Sequence, residues 1–228
     1  MTVLIAGGDS FTYGSELSSQ EHTWANLLAN RKGWNICNTA QPGYSNSAIR
    51  RNVMNAVNEY KDLELYVAVM WSFCNRYEFR FTYDTGHKET PWYSINPFTP
   101  KNFTQKEHKN NADKKGITEF ANNYVKNVAI DPYWEVYNSW CEIVMLQNYL
   151  TKYNIKYVFM TVDYTIFKPS IVLDKTLKTL IADIDISKFI DQEGMYTWAK
   201  RTKQEFYETH PKESAHIEWI NMLYNRIV

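Results

Sequence analysis

Short apolar runs alternate with amphipathic segments along the first third of the chain. Near-continuous apolar runs occupy residues 2–6 and 64–71, with a shorter run at 34–38, and each predicts a buried strand. Between them, residues 23–31 and 45–60 carry apolar side chains at helical spacing behind a capping Thr or Ser. This β-α-β-α-β order predicts right-handed crossovers and a parallel sheet with helices on both faces.

The second half of the chain continues the same pattern. Residues 133–153 predict a long helix, 156–162 a fourth strand, 171–181 a helix, 187–190 a short fifth strand, and 213–227 a final helix. The predicted fold class is therefore α/β: a three-layer α/β/α sandwich around a flavodoxin-like parallel sheet of about five strands.

The stretch from residue 72 to 131 differs from the rest. It contains three prolines and many Asn and Lys residues, and it has little periodicity apart from a predicted short helix near 116–127. A connection of this length in a compact domain is usually functional or partly disordered. We expect a single domain over residues 1–228, in which this insertion leaves the carboxyl end of the third strand and forms a wall or lid beside the site.

Composition and charge narrow the classes of partner. Lys plus Arg and Asp plus Glu each total 25, so nothing in the net charge favours nucleic acid or an anionic membrane.

Three widely spaced cysteines form no CxxC pair, which argues for reduced thiols and against a zinc or redox site. The first ten residues, MTVLIAGGDS, lack the features of a signal peptide, and no apolar run is long enough to span a membrane. We therefore expect a cytoplasmic protein.

Aromatic residues make up 16% of the chain, which is the unusual feature of its composition. Such rings fill cores, but Tyr and Trp in loops also form contact surfaces for sugars, peptides or protein partners. Both interpretations stay open at this point. The content of Asn and Tyr suits a bacteriophage or bacterial protein.

A candidate nucleophile lies at the end of the first predicted strand. Gly8, Asp9 and Ser10 follow that strand directly, at the place where parallel α/β sheets bind ligands. A serine hydroxyl needs a base to take its proton, and His210, fixed by Pro211 just before the last helix, can point across the same edge. The remaining histidines are interpreted as surface or packing residues: His22, His87, His108 and His216.

These segments resemble three blocks of the SGNH (GDSL-type) hydrolase family. The first block corresponds to GDSFTYGSE from residue 8, the second to the segment around Gly43, and the last to Thr209, His210 and Pro211. The resemblance implies that Ser10 is the nucleophile, that His210 is its general base, and that the amides of Ser10 and Gly43 form an oxyanion hole. It implies no metal or organic cofactor.

Two blocks depart from the family pattern. The third block, Gly-x-Asn-Asp, is absent, and Asn75 is the nearest amide that could donate to the oxyanion, with Ser72 or Arg76 as replacements. The acid three residues before the histidine is replaced by Tyr207, so Glu208 is predicted to orient His210. Five further residues near the strand ends are assigned to substrate binding, although Asp9 is also expected to bond the turn amides: Asp9, Tyr13, Asn46, Trp71 and Arg76.

The resemblance therefore implies a serine esterase that hydrolyses an acyl ester, with acetyl as the first expectation for the acyl group. The aromatic insertion favours a carbohydrate or another extended substrate. The alternative is a weakly active or inactive protein of the same fold that binds a glycan or a protein partner. A nucleotide-binding flavodoxin-like domain is a weaker third interpretation, because the GxGxxG spacing is absent.

Overall fold

The computed structural model describes residues 1–80, 92–96, 112–169 and 171–227. Within these residues lies a four-stranded parallel sheet in the order β2-β1-β3-β6, together with a separate two-stranded sheet of β4 and β5. The strands are β1 (Thr2–Gly7), β2 (Asn35–Asn38), β3 (Glu64–Trp71), β4 (Tyr77–Arg80), β5 (Trp92–Ile95) and β6 (Lys156–Thr161). The predicted α/β class with a parallel central sheet is confirmed.

Helices cover both faces of the sheet. They are α1 (Ser10–Tyr13), α2 (Trp24–Lys32), α3 (Asn46–Glu59), α4 (Ala112–Tyr124), α5 (Pro132–Lys152), α6 (Lys175–Ala182), α7 (Met195–Arg201) and α8 (Glu213–Leu223). Thr23 and Ser45 cap α2 and α3 by accepting a hydrogen bond from a backbone amide in the first turn. These caps fix where the helices begin and so determine the length of the loops at the sheet edge.

Two apolar cores lie on opposite faces of the sheet, because side chains alternate along each strand. Leu4 and Met70 pack with α2, α7 and α8 on one face, whereas Ile5 and Val69 pack with α3, α5 and α6 on the other. Both cores are closed by tryptophans that are fully buried, among them Trp219. The result is the three-layer arrangement expected from the sequence.

The predicted fifth strand at 187–190 is wrong. A 3₁₀ turn occupies Ile186–Lys188, and only Phe189 makes an isolated parallel bridge to Phe159 of β6. The reason is local, since Asp185 caps the turn by accepting from the Ser187 amide at 3.0 Å. The helix predicted over 171–181 also begins later, because Asp174 caps α6 through the Leu177 amide at 2.9 Å.

The insertion contains regular structure that its sequence did not predict. β4 and β5 form an antiparallel pair in which Phe79 lies opposite Tyr93. The helix predicted near 116–127 is found as α4, followed by a π-helical turn over Val125–Ala129. The other parts of the predicted lid, residues 81–91 and 97–111, lie outside the described residues.

Among the described helices, none combines the length and the apolar composition needed to cross a membrane.

Candidate active site

Ser10 is the first residue of α1, directly after β1 at the carboxyl edge of the sheet. Gly8 allows this tight turn, because a Cβ there would lie 2.0 Å from Thr12 Oγ1. Ser10 retains 6% of its surface exposed, and its side chain has no hydrogen-bond partner among the described residues. The Ser10 amide is the first N–H of a helix and therefore has no intrahelical acceptor. The turn therefore presents a hydroxyl and an amide at the same place.

Asp9 anchors this turn to the segment that follows β3. It is fully buried, caps α1 through the Phe11 amide at 3.0 Å, and accepts from Ser72 Oγ at 2.7 Å. It also forms an ion pair with Arg76, whose Nη1 lies 2.7 Å from Asp9 Oδ2. These contacts occupy the carboxylate, so the structure does not support the substrate-binding role predicted for Asp9. Arg76 keeps 16% of its side chain exposed.

His210 lies beside the Ser10 turn, with its ring centroid 5.0 Å from that of Phe11. Its Nδ1 is 2.8 Å from Thr209 Oγ1 and 3.2 Å from Glu16 Oε1, while Nε2 has no partner among the described residues. In that part of the chain no hydrogen bond joins His210 to Ser10. Catalytic hydrogen bonds are often long without substrate, so this arrangement is compatible with proton transfer.

Glu16 is the residue that the sequence interpretation missed. Its carboxylate accepts from Thr209 Oγ1 at 2.7 Å and from the amides of Thr209 and His210, each at 3.1 Å, besides facing His210 Nδ1. Desolvation raises the pKa of Glu16, but the hydrogen bonds from Thr209 and His210 outweigh it and lower that pKa to about 2. Glu16 is therefore ionised at neutral pH. Only its place in GDSFTYGSE could have hinted at this role.

Glu208, the carboxylate predicted to orient His210, does not do so. It is exposed, and within the described part of the chain no hydrogen bond or ion pair joins it to His210. The backbone explains this, since the Tyr207 amide donates to the His210 carbonyl at 2.9 Å and closes a tight turn. Glu208 lies at the tip of that turn, where the side chain faces solvent.

A second carboxylate joins the same two loops. Glu213, the first residue of α8, accepts from the Ser18 amide at 3.1 Å, from Ser18 Oγ at 2.9 Å and from the Tyr207 hydroxyl at 2.9 Å. The backbone hydrogen bond from Ser18 is the main cause that lowers the pKa of Glu213 to about 2. The loop after α1 and the loop that carries His210 are thus held together at two points.

The structure places the two remaining predicted oxyanion donors, Gly43 and Asn75, in different situations. Gly43 has φ +80°, a left-handed conformation that favours glycine, and its amide has no partner among the described residues. Asn75 is half-buried in the turn after β3, and among the described residues its side chain makes no hydrogen bond to the Ser10 turn. Its role stays a prediction.

Two residues predicted to bind substrate hold the scaffold together, and one of them, Asn46, also lines a cavity of about 190 Å³. Trp71 is fully buried and packs against Phe159 with ring centroids 5.4 Å apart. Asn46 is 2% exposed, and its Oδ1 accepts from the Ser72 amide at 2.8 Å, which holds the start of α3 to the end of β3. Tyr13, at the end of α1, is half-buried and remains a candidate. Within the described residues no group of His, Cys, Asp and Glu side chains is arranged to hold a metal ion.

Three solved structures show where this fold occurs elsewhere. Esterase EstA from Pseudoalteromonas is 12% identical with a TM-score of 0.55, covering 99% of this chain and 96% of that one. A protein from Desulfitobacterium hafniense, named for the G-D-S-L family, is 11% identical with a TM-score of 0.51 and full coverage of both chains, 100% each. The acetyl xylan esterase AlAXEase is 12% identical with a TM-score of 0.50, covering 99% of this chain and 100% of that one. At these identities the likeness shows the SGNH-hydrolase-like fold alone.

No curated protein matches the sequence. One family model matches residues 12–221, which is most of the chain. The chain therefore belongs to the family of unknown function DUF6071, and it has the fold of ester-hydrolysing enzymes.

Proposed function

We propose that the chain is a serine ester hydrolase in which Ser10 is the nucleophile, His210 the general base and Glu16 the residue that positions His210. The observation that carries this proposal is the ionised Glu16 carboxylate on His210 Nδ1, beside the Ser10 turn. An anion on Nδ1 favours the tautomer that leaves Nε2 free to accept a proton, and it stabilises the imidazolium that forms.

In the proposed reaction, Ser10 Oγ attacks the ester carbonyl while His210 Nε2 takes its proton. The oxyanion of the tetrahedral intermediate is held by the amides of Ser10 and Gly43, with Asn75 or Arg76 as a further donor. His210 then protonates the leaving alcohol as the C–O bond breaks, which leaves an acyl group on Ser10. Water, deprotonated by the same histidine, hydrolyses this acyl-enzyme.

The proposed substrate is a small acyl ester, with acetyl as the first candidate. One of the similar structures is an acetyl xylan esterase, and the aromatic residues of the insertion lie near the same edge of the sheet. Both observations favour an ester carried by a carbohydrate. The chemistry of the described residues requires no cofactor.

Labelling with a fluorophosphonate tests the proposal without knowledge of the substrate. We expect the wild-type protein to be labelled at Ser10, and labelling to disappear in Ser10→Ala and to fall by a factor of about a hundred or more in His210→Ala. Peptide mass spectrometry locates the label, and circular dichroism confirms that the variants are folded. A folded wild-type protein that takes no label overturns the hydrolase.

A non-catalytic protein that binds a glycan or a protein is the second candidate. It is favoured by the lack of a hydrogen bond between Ser10 and His210 among the described residues, and by the missing Gly-x-Asn-Asp block. The labelling experiment separates the two, because a pure binding protein has no activated serine.

A further inference from the structure

A cavity of about 190 Å³ lies between the insertion and the helices α3 and α5. Arg76 lines this cavity and also donates to Asp9, the residue that caps the helix beginning at Ser10. The cavity is therefore linked to the turn of the proposed nucleophile through two side chains, Arg76 and Asp9. It lies at the carboxyl edge of the sheet, where α/β folds bind ligands.

Aromatic rings held in fixed positions form one side of the cavity. Tyr124 packs edge-on against Phe79 with centroids 4.7 Å apart, and its hydroxyl accepts from Trp134 Nε1 at 2.8 Å. Rings held in this way offer a rigid apolar face at little conformational cost. One turn further along the same helix, Asn138 also lines the cavity and donates its Nδ2 to the Trp134 carbonyl at 2.7 Å, while its amide oxygen has no hydrogen-bond partner among the described residues.

Every charged residue that lines the cavity is already paired. The pairs are Arg76 with Asp9, Glu78 with Arg51, and Glu142 with Arg50. A ligand with a net charge would find no free counter-charge here and would have to give up its hydration without compensation. The paired carboxylates still keep lone pairs that can accept hydrogen bonds from hydroxyl groups.

The volume allows only a small ligand. Pockets that enclose drug-sized molecules measure about 300–1,000 Å³. The volume of about 190 Å³ lies below this range, so the cavity suits a ligand smaller than a drug-sized molecule.

We propose that this cavity is a subsite for a single uncharged sugar ring, which would be the alcohol portion of the ester cleaved at Ser10. An apolar ring face packs on the aromatic rings, while hydroxyl groups donate to the amide and carboxylate oxygens. This inference rests on the proposed hydrolase for its role in turnover. The binding of the sugar itself does not depend on catalysis.

Binding is therefore measured in the Ser10→Ala protein with methyl glycosides as probes, using ligand-observed NMR. The probes are uncharged methyl xyloside and methyl N-acetylglucosaminide, compared with methyl glucuronide, which carries a carboxylate. We expect at least one uncharged glycoside to bind and the glucuronide to bind more weakly. Asn138→Ala should weaken binding about tenfold, which corresponds to 1.4 kcal/mol.

Asn58→Ala is the matched control, because Asn58 lines the larger cavity of about 590 Å³ at the opposite edge of the sheet. It makes the same chemical change and should leave glycoside binding unaltered. If Asn138→Ala fails to fold, Glu142→Gln keeps the side-chain shape while weakening the acceptor, and the same loss is expected.

The outcomes separate this subsite from the proposed function. If an uncharged glycoside binds, Asn138→Ala weakens that binding, and the wild-type protein is not labelled by the fluorophosphonate, then the subsite is supported and only the hydrolase is overturned. Labelling at Ser10 without binding of any uncharged glycoside overturns the subsite alone. Equal loss in Asn138→Ala and Asn58→Ala, or tighter binding of the glucuronide, also overturns it.

Discussion

Asp9 and Glu16 stand on either side of the short helix that begins at Ser10, and the two carboxylates hold different parts of the site. Asp9 is fully buried and ties the nucleophile turn to Arg76 and to the segment after β3. Glu16, with 28% of its side chain exposed, ties the loop after α1 to the loop of His210. The nucleophile and the base are thus fixed by separate anchors.

Because the two carboxylates hold different parts of the site, we expect removal of Asp9 and removal of Glu16 to have different effects. Loss of Asp9 leaves the mostly buried side chain of Arg76 without its counter-charge, so the cost falls mainly on folding. Loss of Glu16 leaves a partly solvated loop that Glu213 still holds through Ser18. The cost should then fall mainly on the orientation of His210.

The strongest test of the comparison is Asp9→Ala. We expect the free energy of unfolding to fall by about 3–5 kcal/mol, since one partner of a buried ion pair is removed. Urea denaturation measures the change. The control is Glu193→Ala, which breaks the exposed pair with Arg201 and should cost less than about 1 kcal/mol. Similar losses in the two variants would mean that Asp9 is not the structural anchor.

A second prediction concerns how stability depends on pH, through the buried His216 on the helix that follows His210. Burial lowers the pKa of His216 on α8 from 6.5 to about 4, and its Nδ1 accepts from the Trp24 amide at 3.1 Å. As the pH falls below 6.5 the unfolded chain binds a proton at His216, whereas the folded chain stays neutral there until about pH 4. Acid therefore favours unfolding, and the contribution of His216 across this window is about 3 kcal/mol at 1.36 kcal/mol per pH unit.

His216→Asn checks this, because the Asn side chain retains an acceptor for the Trp24 amide but does not titrate. The variant should lose most of the decline in stability between pH 6.5 and pH 4. Denaturant titrations at several pH values give the slope. A slope unchanged in His216→Asn would contradict the buried, neutral state.

The local parts of this architecture could be predicted from the sequence. Apolar runs and capping residues placed β3 at Glu64–Trp71 and α3 near residues 45–60, because burial and capping act within a few residues. The turn at Ser10 could be predicted for the same reason, since Gly8 and the capping residue Asp9 are its neighbours in the chain. The prediction of a fifth strand was wrong because Asp185 caps a 3₁₀ turn, which replaces strand pairing at these residues.

The long-range parts could not be predicted. Glu16 meets His210 across 194 residues of chain, and the contact depends on the left-handed conformation of Glu16 at φ 69°. Proximity in sequence favoured Glu208, which the turn at 207–210 directs outward. Trp71 at a strand end was also misassigned, because sequence position alone does not distinguish a side chain in the core from one in the site.

The most direct test of the central claim compares Glu16→Gln with Glu208→Gln by the rate of fluorophosphonate labelling at Ser10. Glu16→Gln removes the anion from His210 Nδ1 while conserving size, so labelling should slow by a factor of about a hundred or more. Glu208→Gln makes the same change at an exposed carboxylate without a contact to His210 in the described structure, and its rate should match the wild type. A slow Glu208→Gln together with a normal Glu16→Gln would contradict the account.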